Sequence, residues 1–145
     1  MATIVTTLSE RRRMKQWQFE RAVLQSLSLE ELKYSAEKTF QDVVPFYFIT
    51  HPFLLDACID IAIDAYLVGA EYSRFGYLGE REDEVMERCD DQLTELVYSL
   101  FTLLQGWIDD ETSVFEPLYT ASTTFIHHWW RKGFKVGKKR HRLKL

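Results

Sequence analysis

From Pro52 to Phe75 the chain reads PFLLDACIDIAIDAYLVGAEYSRF, its longest strongly apolar segment. The pattern predicts one helix that is apolar around most of its circumference, and such a helix has to be covered by others on several sides. An advance of about 100° per residue separates two narrow rows on it. Asp56, Asp60 and Asp64, with Glu71 in line, form an acidic stripe. Cys58, Ala62, Ala65, Gly69 and Ser73 form a row of small residues on the opposite side. The small row predicts a neighbouring helix at close range, and the acidic stripe predicts a water-facing side.

The stripe also has a sharper reading. Aspartates at four-residue spacing supply the hard oxygen ligands of a cation site. With Asp56, Asp60 and Asp64 as metal ligands, the chain would be a metal-dependent hydrolase. Against this, carboxylates at i and i+4 repel unless they are solvated or paired, and no Glu-x-x-His motif accompanies them as a di-iron bundle requires. A solvated face asks for less, and neither a metal nor any other cofactor is expected.

A chain of 145 residues makes one domain, and a domain of that size buries about 68–70% of its unfolded surface. Six glycines and three prolines are too few for the many turns of an all-β chain. The expected fold is all-α: an antiparallel bundle of about five helices around the buried helix at about 52–75. Residues 1–137 form the helical domain and 138–145 a flexible basic tail.

Capping signals place the helices. Thr7 and Glu10 have capping-box spacing and start the first helix near Thr7, although Arg11, Arg12 and Arg13 then oppose its dipole. Ser28 and Glu31 repeat the spacing and open a second helix over Leu29 to Val43. Val43 to Ile49 reads as an apolar connector broken by Pro45, with room for a short helix. Pro52 suits the first turn of the central helix, with His51 or Thr50 as its cap, and Gly76 is its expected left-handed stop. A fourth helix runs from about Arg81 to Ile108 on the seam Val85, Cys89, Leu93, Leu96, Leu100, Leu103 and Trp107. Ser113 and Glu116 open a fifth, packed through Phe115, Leu118, Ser122, Phe125 and Trp129, whose last turns are weakened by Gly133 and Gly137.

The start, MATIVTTLSERRR, lacks the apolar core of a signal peptide, and the acids break the central stretch well short of a membrane span. The expectation is a cytoplasmic protein that does not cross a membrane. Cys58 and Cys89 lack metal-ligand spacing and read as buried reduced thiols.

Charge is segregated along the chain. Asp56 to Glu116 holds sixteen acids against three basic residues, while Arg131 to Leu145 holds eight lysines and arginines and no acid. Arg131, Lys135 and Lys138 share one face of the fifth helix, and Lys139, Arg140 and Arg142 follow directly. Behind Trp129 and Trp130, these six side chains are the candidate anion-binding set, suited to nucleic acid or an anionic surface. The plainer reading makes both tryptophans core and the cations a solubilising end, or one that folds back on the acidic middle. His127 and His128 point about 100° apart and have no local co-ligand. Nucleophile signatures and phosphate-binding glycine loops are absent, so no catalytic residue is assigned.

The run AYLVGAEYSRFGY from Ala65 to Tyr77, the arginine-rich start and WWRKGF from Trp129 to Phe134 resemble an uncharacterised family of small cytosolic proteins from spore-forming Gram-positive bacteria. The resemblance spans nearly the whole chain and implies a bacterial, cytosolic origin. The family has no assigned activity, so no functional residue carries over. The leading expectation is a non-enzymatic interaction or regulatory protein with an unidentified protein partner, and the second is a nucleic-acid or anionic-surface binding protein using its basic ends. Leu67, on the acidic face, and the aromatic connector are candidate contacts for a dimer.

Overall fold

The computed structural model describes residues 3–44, 47–108 and 115–143, and among these it forms seven α-helices and no strand. They are α1 (Thr3–Leu24), α2 (Leu29–Phe40), α3 (Tyr47–Thr50), α4 (Pro52–Tyr77), α5 (Glu82–Arg88), α6 (Asp90–Trp107) and α7 (Phe115–Leu143). The all-α expectation holds, with α4 at the centre. Every member of its small-residue row is buried, and Asp56, Asp60 and Asp64 all face outward.

The largest interface lies between α4 and α7. The two helices run parallel: Tyr66 meets Trp129 with ring centroids 6.5 Å apart, and eleven positions on, Tyr77 comes within 6.0 Å of His141. Glycines on both sides permit the approach. A Cβ on Gly69 would overlap the carbonyl oxygen of Trp130, one on Gly133 the carbonyl of Tyr66, and one on Gly137 the Ser73 hydroxyl and Ala70 backbone. Because these obstacles are mostly backbone, no side-chain rotation makes room. Gly133 and Gly137 therefore do not weaken the helix end here; they seat it, and α7 continues to Leu143.

Strand-like alternation of direction is kept by α6, which runs against both partners. Its end sets Trp107 against Phe53 with centroids 4.8 Å apart, and its middle sets Phe101 against Phe115 at 4.8 Å. On the other side, α2 descends α7: Ser35 meets Trp129, and Phe40 packs on Phe125 at 5.6 Å. The buried Tyr66 hydroxyl donates to the carbonyl of Val23 at 2.9 Å, which ties the last turn of α1 to the central pair.

Several boundaries differ from the sequence reading. α1 begins at Thr3, so Thr7 lies within the helix and does not cap it. Ser28 does cap α2, accepting from the Glu31 amide at 3.3 Å, but that helix ends at Phe40. Pro45 lies outside the described residues, and the short helix of the connector is α3. His51 is the N-cap residue of α4 without a side-chain cap bond, Thr50 Oγ1 lying 2.8 Å from its Nδ1. Gly76 is no helix stop. It is buried inside α4, where the Phe134 ring occupies the space a Cβ would need, and the left-handed residue is Gly79, with φ 115°. Ser113 lies outside the described residues.

The predicted fourth helix is two. The chain breaks at Cys89, where Arg81 and Glu84 have already capped α5 through a 3.2 Å bond from the Arg81 amide to the Glu84 carboxylate. Val85, Cys89 and Leu93 stay buried across the break, and the seam then runs through Val97, Leu100, Phe101 and Leu104. Leu96 and Leu103 are half-buried and Trp107 is 48% exposed. A straight helix drifts from a strict seven-residue repeat by roughly 20° per heptad, which moves the far positions off the core.

Candidate functional site

Helical continuation of α7 decides how the six candidate anion-binding residues are arranged. At about 100° per residue, Arg131, Lys135, Lys138, Lys139 and Arg142 fall on one outward face. Arg140 falls on the opposite side, with the packed residues, and its Nε is buried with no hydrogen-bond partner. So five of the six form a stripe and the sixth turns into the body. Among the described residues, the one ion pair joining this stripe to the acidic segment is Arg131 to Glu82, at 3.7 Å between partly exposed groups. An exposed pair of that length contributes little. Lys138 lies over the Phe134 ring at 6.0 Å.

The fold brings the two basic ends of the chain to one pole. The His141 ring stacks on Phe19 at 4.8 Å and approaches Tyr77, which sets the last turns of α7 beside α1 and the end of α4. From that contact α1 runs outward, and residues 8–18, including Arg11, Arg12, Arg13 and Lys15, are exposed without exception. Met14 and Trp17 are each 53% exposed. On the helix they lie well away from Phe19 and Val23, which pack inward, and Arg21 covers one face of Trp17 at 5.2 Å.

The histidines part as their spacing requires. His127 lines a hollow with Glu82, Asp83, Glu87, Asp90 and Arg131, and His128 lines a groove on the other side of α7. Burial lowers the pKa of both, and nearby cations push the same way: Arg131 for His127, and Lys132, Arg131 and Lys135 for His128. Asp56, Asp60 and Asp64 stand one per turn in solvent; burial and Asp60 raise the Asp64 pKa. No group of three histidine, cysteine or acidic side chains with metal-binding geometry occurs among the described residues. Both cysteines are free and buried. Burial pushes the Cys58 thiol up to about 12 and Cys89 to about 11, so neither is a ready thiolate. The indole N–H of the buried Trp130 faces the Cys89 sulphur, a weak acceptor, without forming a full hydrogen bond. Arg74 lies over Phe75 at 5.0 Å and forms no ion pair with Glu71.

Leu67 is half-buried, so it offers only part of its side chain to a second copy, whereas Ile49 of α3 is 76% exposed. The groove that holds His128 was not visible residue by residue. Glu31, Tyr34, Ser35, Lys38 and Thr39 of α2 face Thr124, His128, Trp129 and Lys132 of α7 across a cleft of about 330 Å³. The signal available was a polar row at helical spacing on each element, Glu31–Ser35–Lys38 and Thr124–His128–Lys132. Nothing local says that the two rows face each other.

These features define an all-α protein with a glycine-fitted parallel pair at its centre and two outward basic elements at one pole. No described helix is long and apolar enough to cross a membrane. The chain belongs to the family described as protein of unknown function (DUF2521), whose family model matches residues 1–145. It is 30% identical over 143 residues to the uncharacterized protein YbaK of Bacillus subtilis (strain 168), the match covering 97% of each chain. No solved structure matches it.

Proposed function

We propose that the protein acts in the bacterial cytoplasm as a non-enzymatic interaction or regulatory protein, and that the first half of α1 carries the contact. The observation behind this reading is the unbroken exposure of residues 8–18, with Met14 and Trp17 on a side of the helix that the body leaves open. Aromatic and Met side chains next to Arg are the composition that interface centres favour. The test is affinity capture from the native cell with the parent and with a Met14→Ala, Trp17→Ala variant. Loss of a specific captured protein from a variant of unchanged thermal stability is the expected result. Identical capture by both proteins overturns the reading.

The meeting of both basic ends at one pole favours a second reading, binding to nucleic acid or an anionic surface. Contacts of that kind are mainly to phosphate and weaken steeply with salt. Replacing Lys135, Lys138, Lys139 and Arg142 by glutamine, and leaving the inward Arg140 in place, is expected to weaken polyanion binding and flatten its salt dependence. Absence of binding by the parent at low salt removes this reading.

A further inference from the structure

We infer that the groove between α2 and α7 is a binding site for a small organic anion, a phosphate or carboxylate carried on a flat apolar body. Its volume, about 330 Å³, stands at the lower end of the ~300–1,000 Å³ usual for small-molecule sites. Its floor is Trp129, nearly fully buried and fixed by a 3.1 Å bond from its indole N–H to the Ser35 hydroxyl. The Tyr34 ring forms part of the α2 wall, with the Lys38 ammonium 5.7 Å from its centre. Aromatic surface of this kind holds the body of a ligand, and a few placed polar groups orient it.

The charges choose the sign. Lys38 comes from α2 and Lys132 from α7, and neither is ion-paired to a carboxylate among the described residues, whereas Arg81, Arg88 and Arg131 are each paired. The antiparallel register, Ser35 to Trp129 and Phe40 to Phe125, sets Glu31 toward the Lys132 end of the groove. It sets Lys38 and Thr39 toward Thr124 at the other end, with His128 between the two, where the Glu31 charge still acts on it. Glu31 thus lies nearer Lys132 than Lys38, and the Lys38 end gathers one ammonium and the hydroxyl-bearing Thr39 and Thr124. An anionic group seated there meets an ammonium and two hydroxyls that can each donate, and charge-assisted hydrogen bonds are the strong ones. Burial above all holds the His128 ring toward the neutral form, and Lys132, Arg131 and Lys135 push the same way against Glu31.

The experiment uses the full chain labelled with ¹⁵N and four probes: phenyl phosphate, benzoate, inorganic phosphate and benzyl alcohol. Phenyl phosphate or benzoate is expected to move the Trp129 indole signal and the amides of Tyr34 to Thr39 saturably, and which of the two binds tighter identifies the acid group. Inorganic phosphate and benzyl alcohol, each carrying half of the recognised chemistry, are expected to bind more weakly. Lys38→Gln with Lys132→Gln is expected to lower affinity at least about tenfold, the loss of one good charged contact. The unliganded Trp129 indole signal should stay in place, and Lys38→Arg should retain binding. Both lysines are exposed, so the substitutions leave the core intact. The proposal falls if neither ring-bearing anion gives saturable shifts in the millimolar range. It falls equally if the shifts map only to the stripe from Arg131 to Arg142, or if the double variant binds as well as the parent.

Discussion

The α4–α7 pair and the first half of α1 are both helical, and they are held in opposite ways. In the pair, backbone meets backbone at Gly69, Gly133 and Gly137, and the small row of α4 has no access to water. In α1, residues 8–18 touch solvent throughout, and the body grips the helix only near its end, through Phe19, Val23 and the Tyr66 hydroxyl. Tertiary cover, which supplies most helical stability in proteins, defines the first region and leaves the second to local bonding. A side chain in the first therefore answers for the fold, and one in the second is free to answer for a partner.

Gly133→Leu breaks the contrast most severely. The added side chain has only the Tyr66 backbone to displace, and the expected loss exceeds about 4 kcal/mol, the exceptional range for a single change. Circular dichroism on heating checks it; a folded variant with an unchanged midpoint would mean that the pair is not closely packed there.

A second break comes from pH. Unfolded, the Cys58 thiol ionises near its ordinary value of 9.0; folded, burial holds it protonated to about 12. Unfolding therefore releases a proton between those values, and stability falls as pH rises through that window, by at most about 1.4 kcal/mol per pH unit for this group. Below pH 9 the contribution is complete and constant. Cys58→Ala, compared with the parent in denaturant titrations at successive alkaline pH values, is expected to flatten the fall. Part of it will remain through Cys89 and Tyr66, whose pKa values burial also raises.

Tyr66→Phe probes the seam between the two regions. It removes one of two bonds to the carbonyl of Val23, which still accepts the Ser26 amide at 3.1 Å, at an expected cost of ~0.5–1.5 kcal/mol. Hydrogen exchange in the last turn of α1 should quicken more than exchange in α4; equal quickening would show α1 and the pair opening as one unit. The smallest effect belongs to Trp17→Ala, expected to shift unfolding stability by no more than ~0.5 kcal/mol. A larger loss by urea denaturation would show that α1 is bound to the body along its length.

Much of the pair was legible because one element carries it. Periodicity alone put Ala62, Ala65, Gly69 and Ser73 on a single row of α4 and predicted a close neighbour. It did not name the neighbour, because Gly133 and Gly137 look like helix weakeners unless the opposing backbone is known. Gly76 was misread for the same reason: the Phe134 ring that requires it lies on another helix. The break at Cys89 left no trace, since Val85, Cys89 and Leu93 keep their spacing across it. At the candidate sites, the outward face of α7 followed from counting residues, but Arg140 turned inward once the helix continued to Leu143. The α2–α7 groove needed two elements at once and stayed out of reach.

The parallel pairing also bears on how the molecule is made. Tyr66 and Trp129 stand roughly sixty positions apart, as do Tyr77 and His141, and contacts so distant along the chain close late and slow folding. On the ribosome, α4 emerges complete while α7 is still unsynthesised. Its small-residue face then waits, apolar and uncovered, through the translation of α5 and α6. For that interval the nascent chain displays apolar surface of the kind that aggregates.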